Sequence, residues 1–254
     1  MKIQCYMPLL NEADILPHTL RHLHEEGCAV HVIDGWSTDG SYDIAQRLAD
    51  SVELFPARKA SPVQCCADIL RRVEDLSAVS DAQWCMLNDA DEWRRSPFEG
   101  ATLAGTLEYP GFARYDVVDF RVFQFYCVED GWQYDRKGRS PEEYFQHYDE
   151  ADCISRIPNR KLWRNVGRVQ LAGGGHEVQF RGMRVYPVKF SMKHYPFRTP
   201  AQAKAKIATR LARRCAGEHA KGWGVHYDQY PPGFEFCWDP AQLKFWRDTR
   251  TLLP

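Results

Sequence analysis

An α/β fold, a parallel central sheet doubly wound by helices, is predicted by three observations on this sequence. Short apolar runs alternate with helix-period segments through the first part of the chain, which is the spacing of right-handed βα crossovers. Three of those runs stop at Asn11, Asp34 and Asp89, which puts three polar side chains at the carboxyl ends of strands, where open α/β sheets bind ligands. The composition, 44% hydrophobic and 26% charged over 254 residues, suits a globular chain able to bury a sizeable core and excludes wholesale disorder.

Taken in order, Ile3 to Met7 reads as the first buried strand, ended by Pro8, and Asn11-Glu12-Ala13-Asp14 as a helix entry with Asn11 as its cap. Leu16, Leu20 and Leu23 form the apolar stripe of that helix, with Pro17 in its first turn. A second strand, Ala29 to Ile33, stops at Asp34-Gly35-Trp36-Ser37-Thr38-Asp39-Gly40-Ser41, and a helix with Ile44, Ala45 and Leu48 on its face follows. Val52 to Phe55 is a third strand, ended by Pro56; Ser61-Pro62 then opens a helix that carries Val63, Ala67, Leu70 and Val73 inward. Next comes Trp84-Cys85-Met86-Leu87, a buried strand running into Asn88-Asp89-Ala90-Asp91-Glu92-Trp93.

After this the rhythm changes. Val117 to Val128 reads as one or two strands, and Glu129 to Asp152 as a mobile loop placed over the site. Arg160 to Arg164 is a short strand, Leu171 to Val178 a flexible glycine run delivering His176-Glu177, and Val185 to Met192 a strand leading into Lys193-His194-Tyr195-Pro196. Thr199-Pro200-Ala201-Gln202 opens a helix with a near-complete capping box; Ala203, Ile207 and Leu211 line its inner face, while Lys204, Lys206, Arg210, Arg213 and Arg214 make it strongly basic. The aromatic tail after Gly222 carries a short helix from Pro240 to Thr251.

A net charge of −1 argues against a nucleic-acid partner held by general electrostatics, so an anionic ligand must be held locally. The nine cysteines show no Cys-x-x-Cys spacing, and Cys5, Cys85 and Cys127 sit inside apolar runs as small core residues. With no signal-peptide pattern and no apolar run of spanning length, the expected setting is a reducing cytoplasm.

The acidic pair carries the functional reading. In an extended segment Asp89 and Asp91 point to the same side, where both can face one divalent cation or its hydrated shell. Asp-x-Asp alone is equally a turn or helix-start pattern, and its weight comes from the apolar run before it and the pieces elsewhere in the chain.

Those pieces, Met7-Pro8-Leu9-Leu10-Asn11-Glu12, Asp34-x-x-Ser37-Thr38-Asp39-Gly40-Ser41 and Leu87-Asn88-Asp89-Ala90-Asp91-Glu92, together resemble the GT-A glycosyltransferases of family 2. Gly173-Gly174-Gly175-His176-Glu177 and His194-Tyr195-Pro196-x-Arg198-x-x-x-Gln202 resemble its branch with Asp-x-Asp-Glu and a late His-Glu, so the likeness runs from residue 1 to about 215. It implies a Rossmann-like nucleotide-sugar-binding fold with a mixed, mostly parallel central sheet over 1–254, with a nucleotide half at 1–98, an acceptor and metal half at 99–215 and an aromatic extension at 216–254. It implies that Pro8, Asn11 and Glu12 lie along base and ribose, that Asp34 accepts from a base N–H, and that Asp89 holds ribose or a metal-bound water. Asp91 is then a direct ligand of Mn²⁺ or Mg²⁺, with Asp89 close by and His194 completing the set. Glu177 is the implied base that takes the proton from the acceptor hydroxyl in an inverting transfer.

The implied partners are a UDP-, GDP- or TDP-type sugar donor and a saccharide or glycolipid acceptor. Plainer roles stand beside these: turn capping for Asp34 and Asp39, a tucked-in strand end for His194, a surface strand edge for Glu177. Trp93 either stacks on a sugar or plugs the core. The basic helix is either a solvated face, the default, or a contact to the diphosphate or to an anionic acceptor at the inner face of a membrane. Against the wider family, the Gln-x-x-Arg-Trp motif of processive members is absent, which implies transfer of a single sugar. Arg58-Lys59 and Gln64-Cys65 replace its usual Arg-Asn pair. Two other readings compete. A sugar nucleotidyltransferase calls for a basic, glycine-rich loop after the first strand, where this chain has Pro8-Leu9-Leu10-Asn11-Glu12. A non-catalytic nucleotide- or sugar-binding protein on the same scaffold has no need of a base.

Overall fold

The structure, a computed structural model, describes residues 3–56, 66–129, 139–150, 158–231 and 233–246. The Ser61-Pro62 helix entry with Val63, the Arg58-Lys59 and Gln64-Cys65 positions, part of the Glu129 to Asp152 loop and the end of the helix expected to reach Thr251 lie outside these residues.

The chain runs β1 (Ile3–Leu9), α1 (Leu16–Glu25), β2 (Cys28–Asp34), α2 (Ser41–Leu48), β3 (Ser51–Leu54), α3 (Cys66–Ala78), β4 (Trp84–Leu87), β5 (Glu92–Arg95) and α4 (Leu103–Glu108). Then come β6 (Val117–Val118), β7 (Phe120–Phe125), α5 (Pro141–Tyr144), β8 (His147–Asp149), β9 (Leu162–Arg164), β10 (Gln170–Ala172), β11 (Glu177–Gln179), β12 (Phe190–His194), α6 (Pro200–Arg213), α7 (Ala216–Ala220) and β13 (Lys244–Phe245). The first sheet has the order β3-β2-β1-β4-β9-β6, parallel from β3 to β4 and antiparallel where β9 joins β4 and β6. The expected α/β fold with a mixed, mostly parallel central sheet is therefore the fold observed.

Period-2 alternation decides which residue meets which helix. Ile3, Cys5, Met7, Val30 and Val32 pack on Leu16, Leu20, Leu23 and Ala45 of α1 and α2. Tyr6, Ile33, Cys85 and Leu87 face the other way, onto Leu70 and Val73 of α3. Helices thus cover both faces, and each fully buried leucine of α1 contributes about 1.5–3 kcal/mol.

The second sheet, order β13-β8-β7-β12-β5, is built around Trp93, Phe123, Phe125, Tyr148 and Tyr195. Two short passages lead from the first sheet into it: Asn88 to Asp91 between β4 and β5, and Asp119 between β6 and β7. Trp93 plugs the core, stacked on His22 with centroids 4.7 Å apart and donating from Nε1 to Thr19.

Several local expectations are corrected. β1 runs through Pro8 to Leu9, because β4 pairs with β1 only as far as Tyr6 and that flank needs no further donor. α1 starts at Leu16, with no side-chain cap; Pro17 does lie in its first turn. The 117–128 stretch divides between two sheets, and the 129–152 stretch holds α5 and β8 among its described residues. Val185 to Lys189 precede the strand, which begins at Phe190. Leu48 and Leu211 are exposed rather than inward. After a single turn at Pro240–Gln242 the chain enters β13 and pairs with β8, so its described end is sheet rather than helix. Among the described cysteines only Cys215 is disulfide-bonded. No helix among these residues is long and apolar enough to cross a membrane.

His22, buried under Trp93 with Nε2 2.9 Å from the Arg94 carbonyl, gives a pH prediction. Burial, then the Arg95 charge, lowers its pKa from 6.5 to about 4. Between those values the unfolded chain binds a proton that the folded one excludes, so stability falls as pH drops through 6.5 towards 4. The loss from this group is about 3 kcal/mol, and urea titrations across that range should show His22→Gln with a shallower fall than the wild type.

Candidate functional site

Three parallel strand ends make the floor of the site. Leu9 of β1 and Asp34 of β2 are register partners, while β4 ends at Leu87 opposite Tyr6 and the chain continues through Asn88, whose amide donates to the Tyr6 carbonyl, to Asp89. Beyond β1 the chain turns sharply at Asn11, with φ of 54°. The Asn11 amide donates to Ser37 Oγ at 3.0 Å, and its Oδ1 accepts from the Thr38 amide at 2.8 Å. The Glu12 amide donates to Ser41 Oγ and the Ala13 amide to Asp39, so the Ser-Thr-Asp-Gly-Ser stretch is a clamp between the β1 and β2 loops. Asp39 also accepts from the Ser41 amide, the capping role expected of it. Pro8 is part of the β1 ladder. Asp34 is fully buried: Oδ1 accepts from the Ser37 amide at 2.9 Å, while Oδ2 has no hydrogen-bond partner among the described residues.

The acidic pair is not an extended segment. Asp89-Ala90-Asp91 is a turn closed by the Glu92 amide on the Asp89 carbonyl at 3.1 Å, because the chain must leave the first sheet at Leu87 and enter the second at Glu92. The two carboxylates consequently meet different cations: Asp89 pairs with Lys161 at 2.9 Å, and Asp91 with Lys206 at 2.5 Å. His194, delivered by β12 opposite Glu92, brings Nε2 to 3.6 Å from the same Asp91 oxygen.

Charges alternate through the buried layer below. Arg94 and Lys161 flank Glu92, Lys206 bridges Asp91 and Glu12, and Arg198, fully buried, bridges Glu12 and Asp14. Burial opposes ionisation of Asp89, but the Lys161 ammonium outweighs it and the carboxyl falls to about 2. Asp91 behaves alike, with Lys206 and then His194 overcoming burial and holding its pKa well below the usual range. The carboxylates in return hold Lys161 and Lys206 protonated against their own burial.

The glycine run bends the chain over α3. Gly173, Gly174 and Gly175 all have positive φ, and a Cβ on Gly175 would stand 2.9 Å from Leu70 Cδ2 and 3.1 Å from Leu87 Cδ2. The two residues it delivers diverge. Glu177 Oε1 accepts from Arg160 at 2.7 Å and Oε2 from Gln179, so its carboxylate is held along the strand edge. His176 instead faces the cluster: burial, then Lys161, lowers its pKa to about 4, with Glu92, Asp89 and His194 also in its surroundings.

The basic helix α6 lies along the carboxyl edge, contrary to the default of a solvated face. Lys206, Arg210 and Arg213 are spaced four and three residues apart and share one stripe. Lys206 reaches Glu12 and Asp91, the exposed Arg210 stands in the field of Asp89 and Glu12, and Arg213 donates to the Gly35 carbonyl at 3.1 Å. Thr199 caps the helix on the Gln202 amide, while Gln202 Oε1 returns to the Arg198 amide. That helical spacing was a readable signal for the three cations. Lys161, buried just before β9, left none.

As placed, these side chains do not fit a divalent ion: one at Asp91 and His194 would have to displace Lys206. Among the described residues no three His, Cys, Asp or Glu side chains converge to hold a metal.

No known family's sequence pattern matches the chain, and no curated protein matches it in sequence. In backbone it is similar to the S. aureus TarS 1–349 structure, at TM-score 0.41 and 12% identity over 86% of this chain and 68% of that one. It is also similar to mannosyl-3-phosphoglycerate synthase from Rubrobacter xylanophilus, at TM-score 0.42 and 15% identity over 97% of this chain and 86% of that one.

Removing Arg198 leaves Asp14 without its cation and the buried Glu12 with Lys206 alone, a charge that Lys206 already shares with Asp91. Arg198→Met should lose about 3–5 kcal/mol of stability in urea unfolding, and a loss under 1 kcal/mol would show the layer to be dispensable.

Proposed function

We propose that the chain is a GT-A-type glycosyltransferase that moves one sugar from a nucleotide-diphosphate sugar to a hydroxyl of a saccharide or glycolipid acceptor. The observation that carries this reading is Asp34, buried at the carboxyl edge with one carboxylate oxygen unmet and a stripe of cations alongside. An unmet buried acceptor costs about 1–3 kcal/mol, and the N–H of a uracil, thymine or guanine base supplies the missing donor. The base on Asp34 sets the ribose along Pro8, Asn11 and Glu12 and runs the diphosphate towards α6. Asp89, with 39% of its side chain exposed, opens onto that path and is the residue for a ribose hydroxyl.

In this reading the acceptor oxygen bonds to the anomeric carbon from the side opposite the diphosphate. The carbon–oxygen bond to phosphate breaks, the electron pair leaves with the nucleoside diphosphate, and the hydroxyl proton passes to a base. Glu177 is that base once the acceptor draws it from Arg160. A glycolipid acceptor would bring the chain, in a cytoplasmic setting, to the inner face of a membrane.

A non-catalytic nucleotide-binding role is the second reading, favoured by the fact that Glu177 and Asp91 are both held by cations. Turnover separates the two. Asp34→Ala should weaken UDP, GDP or dTDP binding about tenfold or more in thermal-shift titrations. Glu177→Gln should keep donor binding and lose transfer about 10²–10⁴-fold; near-normal transfer would move the proton to another group, His176 first. Donor binding with no sugar transferred or hydrolysed by the wild type would leave the binding role.

A further inference from the structure

Lys206 stands where two carboxylates from opposite ends of the site meet. Its ammonium lies 2.8 Å from Glu12 Oε1 and 2.5 Å from Asp91 Oδ2. That Asp91 oxygen is also the one nearest His194, whose second ring nitrogen, Nδ1, is buried without a partner among the described residues. An octahedral divalent ion sits about 2.0–2.1 Å from its oxygen ligands, so an ion on this oxygen and the ammonium would claim the same space.

The neighbours of Lys206 extend the pattern. One turn along the helix, Arg210 is exposed in the field of Tyr227, Asp89 and Glu12 and makes no hydrogen bond or ion pair among the described residues. Arg213 continues the stripe to the Gly35 carbonyl, next to Asp34. An anion entering here does not confront bare carboxylates, since Lys161 already covers Asp89 and Arg198 covers Glu12. A base-accepting carboxylate followed by a row of cations is the layout for a nucleoside diphosphate, and an ammonium or a guanidinium supplies charge-assisted hydrogen bonds to its phosphate oxygens.

We propose, on the donor reading above, that Lys206 together with Arg210 is the built-in cation for the diphosphate, standing in place of a divalent ion, so that nucleoside diphosphates bind with no metal added. Upon binding, the Lys206 ammonium keeps its hold on Asp91 and turns its remaining donors to the phosphate.

Calorimetric titration of UDP, GDP, dTDP and inorganic pyrophosphate, each in EDTA and in Mn²⁺, tests this. At least one nucleotide should bind with dissociation constants within about twofold in the two buffers. Arg210→Met, an exposed position at which folding is not at stake, should weaken that binding in EDTA about tenfold. Lys206→Met should do the same and regain affinity in Mn²⁺, because Asp91 and His194 are then released to hold the ion; Lys206→Arg should bind without metal. Wild-type binding that appears only in Mn²⁺ overturns the proposal and leaves the donor reading standing. Metal-free binding that neither methionine variant weakens also overturns it. No nucleotide bound in either buffer overturns the donor reading and this proposal together.

Discussion

The pairing of buried carboxylates with buried cations at the carboxyl edge is the constraint on which the rest of the site depends. Glu12, Asp91 and Glu92 are almost wholly out of solvent, and each lies against one or two of Lys206, Arg198, Lys161 and Arg94. Such pairs contribute little net stability over an apolar core of the same shape, but removing one member is expensive, so they hold the elements that carry them in a single arrangement. The elements so fixed are the β1 loop, the turn between the two sheets and the basic helix.

The position of that helix follows from two kinds of side chain on one stripe. Ala203 and Ile207 seat it against Phe197 and Phe236, while Lys206 and Arg213 tether it to the acidic loop and the end of β2. Apolar packing sets the distance and the ion pairs set the rotation. With its rotation set, Arg210 lies in the field of Tyr227, Asp89 and Glu12 while Lys204 remains in solvent.

The strand and helix alternation of the first half, and the arrival of Asn11, Asp34 and Asp89 at one edge, were legible in the sequence, because topology follows from period and crossover handedness alone. The second sheet was not, since its strands are short and its order interleaves distant segments. Partners of the acidic residues were illegible for the same reason: nothing near Asp89 in sequence points to Lys161, and nothing near Asp91 to Lys206. Asn11 was read as a helix cap and is a loop clamp instead, a difference made by its left-handed backbone. His176 and Glu177 are adjacent in sequence, but His176 ends the glycine turn with a helical backbone (φ −81°, ψ −13°) and lies in the field of Lys161 and Glu92, while Glu177 opens β11 and meets Arg160.

The sequence separations across the cluster carry a consequence for how the molecule is made. Arg198 and Lys206 lie 186 and 194 positions from Glu12, and Lys206 lies 115 from Asp91. A chain emerging from the ribosome has all of its acidic ligands in place long before either counter-charge exists. The part of the chain that carries Glu12 and Asp91 is therefore not a module that can be excised or grafted by itself; it acquires a closed electrostatic balance only when the last third of the polypeptide folds back across it.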